Sequence, residues 1–479
     1  AEAGGRRTRA AVACRLAHAR FVLPKQRIYT HQYSHVYLKR LHALRRVVER
    51  QAAENWPDLT VVEKVIELSA NTPTCVVVGT LYKQQRLKPS VMDEFTEEFS
   101  GAAAKEELDN YCADDDTLIL EDESGRMELA GLEQDLVDSL ITGIIVGVKG
   151  KLCESGEFVV EEYIFPGFPE QKQFQPLAGA DPEEGAGPPP SQYLLLASGL
   201  MVGDSSDPFR LQLLIDYVLG QLGGPTDQAL ESAIVRVIIA GGSVASPGEP
   251  DAAGAQAADA TSAANKRAPG FKHENKFAAP VKQLDVSLAE LSTSVPVDVM
   301  PGGTDPCNVT MPQQPLHRCL FPHSERFQQT FHRVTNPFEC VLDGSLTVTG
   351  TSGQPINDML KYTRHMSAVD LLEATLRWRH VAPTAPDTLP CYPVTMIDPF
   401  VLTHTPHVYF AGDQAEFDTR LVREEKGTVS RLVAVPRFAE TGTVVLVDLA
   451  SKDLDCSTIR FDGLASGLDA ASSKLAPAS

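Results

Sequence analysis

Long apolar runs are missing from this chain. No stretch of eighteen apolar residues occurs, so no membrane-crossing helix is expected. The first residues, AEAGGRRTRA, lack the apolar centre of a secretory leader. Cysteine is sparse and unpaired in pattern. Nine residues (14, 75, 112, 153, 307, 319, 340, 391 and 456) are scattered over 479 positions with no C-x-x-C. An odd count in a long chain points to reduced thiols, not to a disulfide framework. A zinc site from His317, Cys319 and His323 is the less favoured reading beside a loop with incidental Cys and His.

Positive charge is also scarce, except at one end. The chain has 43 Lys and Arg against 63 Asp and Glu, a net charge of −20. Residues 1–50 carry +10 and the remaining 429 carry −30. Nucleic-acid affinity rests on Lys and Arg displacing counterions, so little direct DNA binding is expected of the acidic body. The basic first segment reads as a solvated tail over 1–30, followed by a helix with an Arg-rich face.

What is present reads as two globular domains. From His31, apolar residues at Val36, Leu41, Leu44, Val47 and Val48 predict an amphipathic helix stopped by Pro57. CVVVGTLYK, TLILED and RMELAG predict strands, LEQDLVDSL a short helix, and IIVGVKGKL and EFVVEEYIF a closing hairpin. Three strands, a helix and two strands is the order of an OB-fold barrel, predicted over 31–166. Its hairpin TLILEDESGRMELAG has no aromatic residue, and acids outnumber its single Arg. Base stacking and phosphate tracking both lack their residues there, so a protein-binding or structural barrel is expected. A single-stranded DNA module is the weaker reading.

Residues 167–192, rich in Pro, Gly and Glu, predict a flexible linker. YLLLASGLMVG, AIVRVIIAGG and VPVDVMPGG then alternate with helical segments, predicting a parallel α/β sheet. The second domain is expected over 193–452. A mobile Ala-rich insert is placed at 246–270 and a C-terminal tail at 453–479, disordered after Gly463. Trp378, Cys75 and Cys391 read as core, and His407 as a satisfied buried histidine. Tyr33 and Tyr37 are expected to pack on the barrel, and PTAPDTLPCYP to be a rigid loop.

Ligands of α/β sheets sit beyond the carboxyl ends of the strands. Four such ends, SGLMVGD, AGGSV, PGGTD and AGDQAEF, give the second domain a resemblance to calcineurin-like metallophosphoesterases, an α/β/β/α sandwich. In active members these loops read roughly D-x-H, G-D, G-N-H-D/E and G-H-x-H. The resemblance places Gly199 and Met201 at the first Asp and His, and Gly242 at the bridging Asp. It places Gly303 and Thr304 at Asn-His, and Asp413 and Ala415 at the last two histidines. Only Asp305 keeps its type, and in the family that carboxylate orients a histidine. Two-metal hydrolysis needs a bridging carboxylate and hard ligands; glycine offers none, and a thioether is too soft for Mn²⁺ or Mg²⁺. No metal, cofactor or catalytic residue is therefore expected. The rival reading is a divergent Mn-dependent phosphodiesterase or exonuclease using Asp204, Asp305 and Asp413.

An OB-fold before such a domain is the layout of the B subunits of replicative DNA polymerases. The phrases SVPVDVMPGGTDPCNVTMPQQPLHRCLFP, VTNPFECVLDG, GTSGQPINDML, RHVAPTAPDTLPCYP and PHVYFAGD resemble the second (small, B) subunits of DNA polymerase delta over most of residues 20–450. That resemblance implies a nuclear scaffold. Its partners would be the Cys-rich C-terminal domain of the catalytic subunit and a third, elongated subunit, with service in polymerase zeta as well.

Overall fold

The computed structural model describes residues 9, 11–28, 30–89, 108–173, 176–177, 191–203, 208–246, 278–394, 396–424, 427–462 and 476–477. The insert expected at 246–270 lies, from 247 on, outside the described residues. A short strand, β1 (Cys14–Leu16), precedes α1 (Ser34–Asn55), whose buried stripe is Val36, Arg40, Leu41, Leu44, Val48 and Ala52. The stripe recurs every three or four residues, as an amphipathic helix requires, but it includes an arginine.

The barrel follows: β2 (Val61–Val62), β3 (Cys75–Gln84), β4 (Thr117–Glu121), β5 (Arg126–Ala130), α2 (Gln134–Ser139), β6 (Ile145–Leu152) and β7 (Phe158–Ile164). β3 pairs with β4 along its second half and with β6 along its first, so the sheet closes on itself. Closure leaves the main strands without free edges. Alternation sends Leu118, Leu120, Met127 and Leu129 inward and leaves Arg126 and Glu128 in solvent.

The second domain opens with β8 (Tyr193–Ala197), α3 (Pro208–Val218), α4 (Pro225–Ala233), β9 (Ile234–Ala240), α5 (Ala278–Ser292), β10 (Val297–Met300) and β11 (Phe331–Arg333). It continues with β12 (Phe338–Leu342), β13 (Leu346–Thr351), α6 (Gln354–Leu360), α7 (Ala368–Arg377), β14 (Val408–Gln414), β15 (Asp418–Arg423) and β16 (Val429–Pro436). It ends in α8 (Phe438–Thr441), β17 (Thr443–Asp448), β18 (Cys456–Arg460) and β19 (Ala476–Pro477). One sheet runs β11-β10-β9-β8-β17-β18-β19, its first four strands parallel, and the other runs β1-β12-β13-β14-β16-β15. Leu194, Leu196, Ile238 and Met300 meet Phe338, Val348, Phe410 and Val433 between the sheets. The alternate residues Leu195, Ala197, Val237 and Ile239 face α3 and α5. Tyr409, Ala411, Leu432 and Ala434 face α6 and α7. The fold is thus an OB barrel followed by an α/β/β/α sandwich.

Several expectations need correction. The 1–30 segment is not a solvated tail throughout. β1 adds antiparallel to β12, Phe21 is fully buried, and Arg20 pairs with Glu339 at 2.9 Å. Three apolar residues and one long side chain sufficed, too few to raise a periodic signal among seven cations. The segment 167–192 is not uniformly a free linker either. Gln171 donates to the Val429 carbonyl at 2.7 Å, Thr405 donates to that of Pro169 at 2.7 Å, and Leu177 is buried. The C-terminal tail begins too early at 453, because β18 completes the sheet beside β17, and Ala476–Pro477 pairs with β18 beyond Gly463. Tyr33 is exposed rather than packed. Trp378, Cys75, Cys391 and His407 are buried, and His407 Nδ1 accepts the Thr347 N–H at 2.9 Å.

Candidate functional site

The carboxyl ends of β8, β9, β10 and β14 do converge, and what meets there is mostly backbone. The Gly199 N–H donates to the Gly241 carbonyl and the Met201 N–H to that of Gly242, both at 2.9 Å. Gly199 and Gly242 have φ of +63° and +64°, the left-handed region that glycine enters freely. A Cβ on Gly242 would lie 3.0 Å from Gly199 Cα, and one on Gly199 would lie 3.2 Å from Arg437 Cβ. The loops have closed over the space that ligand side chains at these two positions would need. Met201 and Asp413 also hold positive φ, 49° and 56°, which non-glycine residues adopt only when their surroundings enforce it.

Asp305 is the organiser of this closed loop cluster. Its Oδ2 accepts the N–H groups of Gly302 (2.8 Å) and Gly242 (3.0 Å), and its Oδ1 that of Val244 (2.9 Å). Burial pushes its carboxyl up to about 6, against the opposing pull of those backbone donors. Its acceptor capacity is taken up by protein N–H groups from two loops, so it is not available to a cation. Thr304 Oγ1 lies 3.8 Å from Met201 Sδ, a weak contact. Gly303 is more open, with Gln354 Nε2 3.9 Å from its ideal Cβ position. Beneath it, Asn336, Gln313, Ser352 and Gln354 form a neutral amide and hydroxyl network, with Asn336 Nδ2 donating to Gln313 Oε1 at 2.8 Å.

Asp413 is bound to protein as well. Arg437 Nε donates to its Oδ1 at 2.7 Å and Asn357 Nδ2 to its Oδ2 at 2.8 Å. Arg437 thus brings a fixed cation to the loop cluster. Nothing in the sequence pattern marked it, because it follows a strand on the far side of the Gly199 loop. Ala415 is exposed on the turn after β14. Asp204, the remaining member of the rival ligand set, lies outside the described residues. Among the described residues no group of three His, Cys, Asp or Glu is placed to hold a metal ion. His317 Nδ1 sits 2.9 Å from Cys319 Sγ, while the backbone of His323 is engaged with Asp285.

The best-satisfied charges lie elsewhere, where α1 meets the second domain. Arg40 is fully buried. Its Nε donates to Asp398 Oδ2 at 2.9 Å, its Nη1 to the carbonyls of Gly143 (2.8 Å) and Pro383 (2.6 Å), and its Nη2 to that of Ala385 (2.6 Å). His380 Nε2 shares the same Asp398 oxygen at 2.9 Å, and the Phe400 N–H reaches the other. Burial pushes the Asp398 carboxyl up, but His380, Arg40 and that N–H outweigh it and hold it well below the carboxylate range. Burial and the neighbouring Arg40 push His380 down to about 4. Asn110 adds donors to the Leu360 and Thr363 carbonyls, and Tyr111 stacks on Tyr362 at 5.4 Å. The Pro-rich loop read as merely rigid is therefore the acceptor platform for Arg40.

Comparison with known proteins agrees with this layout. A family model described as DNA polymerase delta subunit OB-fold domain matches residues 32–163, and one for the B subunit of DNA polymerase alpha/epsilon matches 194–419. The DNA polymerase delta small subunit of Arabidopsis thaliana is 40% identical over 444 residues, 92% of this chain and 94% of that protein. DNA polymerase delta subunit 2 of Drosophila melanogaster is 37% identical, with 90% and 94% covered. The small subunit of Saccharomyces cerevisiae is 32% identical, with 91% of each covered. With similarity running through barrel and sandwich alike, this chain belongs to the family of DNA polymerase delta small subunits.

Proposed function

We propose that this chain is a non-catalytic accessory subunit of DNA polymerase delta. It acts in the nucleus, in DNA replication and repair, as a scaffold between the C-terminal Cys-rich domain of the catalytic subunit and the third subunit. The same chain is proposed to serve polymerase zeta. The observation that carries the reading is the closed loop cluster. Gly199 and Gly242 touch through backbone, Asp305 is committed to backbone N–H groups, and Asp413 is committed to Arg437 and Asn357. A two-metal hydrolase needs these positions open and ligated. The names of the relatives support the polymerase assignment, and the acidic body supports protein partners over direct DNA contact.

Two measurements test it. The purified chain is equilibrated with excess Mn²⁺, freed of unbound ion, and its metal counted. No retained metal and no Mn²⁺-dependent hydrolysis of a DNA or phosphodiester probe are expected; two ions per chain with hydrolysis would refute the non-catalytic reading. Co-purification with the catalytic subunit should be stoichiometric and lost on deleting that subunit's C-terminal domain. Retention after the deletion would refute the bridging role.

A further inference from the structure

The amino ends of the sandwich strands, opposite the loop cluster, carry a second constellation. Glu231, on α4, is 1% exposed, and neither of its carboxylate oxygens has a hydrogen-bond partner among the described residues. Burial raises its carboxyl to about 7, with Asp227 adding to the rise and Arg9 opposing it. An orphaned buried carboxylate is costly unless a cation faces it. The positive charge that acts on it through space, without a direct ion pair, is Arg9, more than two hundred residues away in sequence. Arg9 donates to the carbonyls of Val218 (Nη2, 2.6 Å) and Ile234 (Nη1), with Ser294 Oγ 3.4 Å from Nη2.

These acceptors come from the end of α3, the start of β9 and the turn after α5, three places that the fold alone brings together. A planar guanidinium can donate to several of them at once, and an ammonium cannot match that fork. Five residues on from Arg9, β1 pairs with β12. Ala17 N–H donates to the Glu339 carbonyl and Asp343 N–H to that of Ala13, both at 2.8 Å. Val12 and Cys14 pack against the core between the two sheets. Three paired residues are a weak strand alone.

We propose that the Val218 and Ile234 carbonyls and Ser294 Oγ form a guanidinium-binding socket with the buried Glu231 carboxylate as its nearby counter-charge, that Arg9 is its built-in occupant, and that filling it fastens β1 over the edge strand β12. The socket takes an arginine side chain in preference to lysine, and emptying it uncovers the edge.

The test is hydrogen exchange on the full chain, read at the Ala17 and Asp343 amides, with Arg9→Ala, Arg9→Lys and Glu231→Gln. Arg9→Ala should raise exchange at both amides by roughly tenfold or more while barrel amides such as Val148 stay protected. Arg9→Lys should recover only part of that protection, and Glu231→Gln in the otherwise unaltered chain should loosen the same two amides. N-acetyl-arginine amide should raise the Tm of the Arg9→Ala variant by filling the socket; N-acetyl-lysine amide should not. Unchanged exchange in Arg9→Ala, full protection in Arg9→Lys, or equal effects of the two amides would overturn the proposal. So would loosening spread evenly over the chain.

Discussion

The loop cluster at the carboxyl ends of β8, β9, β10 and β14 and the clasp around Arg40 make an instructive pair. Both gather charged side chains from distant segments. In the cluster, glycines meet through backbone, one carboxylate holds backbone in place, and the Arg437–Asp413 pair is partly in solvent, with side chains 34% and 40% exposed. In the clasp, an arginine, an aspartate and a histidine are wholly buried, and three of the four guanidinium bonds fix a barrel helix to the second domain, the fourth returning to the barrel at Gly143. Titratable groups are therefore most tightly organised at the joint, not where a hydrolase would use them. At the joint, these buried polar groups define the geometry between the domains.

The comparison breaks most readily at the clasp. Arg40→Ala leaves Asp398 buried beside one histidine. Removing one partner of a buried pair typically costs about 3–5 kcal/mol, and a loss of that order is expected in urea unfolding. An unchanged midpoint would show that the clasp adds nothing to stability. Next in size is Gly242→Asp, which introduces the carboxylate that the resemblance to active phosphoesterases places there. Its Cβ meets Gly199 Cα at a left-handed φ, so a loss of about 1–3 kcal/mol is expected, with no gain of Mn²⁺ binding.

Acid acts on the buried titratable groups with opposite signs. His380 and His407 are held near 4 in the fold, below the unfolded value of about 6.5. Their contribution is present above that unfolded value and is lost as pH falls toward 4. Asp305 acts oppositely: its folded pKa of about 6 exceeds the unfolded one, so acidification from 6 to 4 adds stability. Glu231, raised to about 7, acts in the same direction as Asp305, so the test is the difference: urea midpoints measured from pH 7 to pH 4 should change more unfavourably in Asp305→Asn, which lacks the Asp305 contribution. Equal slopes would mean that Asp305 is ionised throughout. The smallest effect is expected from Arg437→Met, about 0.2–1 kcal/mol, because its ion pair is partly exposed.

Much of this was legible in the sequence, for identifiable reasons. Period-two alternation in TLILE and RMELA, and the unbroken apolar runs of β8 and β9, encode burial directly. The strand-end loops could be found because glycine and aspartate punctuate them. What stayed hidden depends on partners far apart in sequence. Arg40 looks like any cation on a basic helix, since only the Pro383 and Ala385 carbonyls reveal that its face is buried. Arg437 carries no motif, and its role exists only beside Gly199 and Asp413. β1 is too short and too charged to show a period, and β18 lies beyond the last strongly apolar strand. Pairing at an edge, unlike burial in a core, leaves little compositional trace.

The barrel interior (Leu120, Val148, Phe158) and the α6–α7 side of the sandwich (Leu372, Trp378, Tyr409) belong to one continuous apolar cluster. Apolar contact runs unbroken from one to the other, and Arg40 pins the same junction. Motion between the two arms would have to break buried apolar contacts and the Arg40 bonds. Such a joint resists bending, so force applied to the barrel is passed on to the sandwich rather than taken up between them.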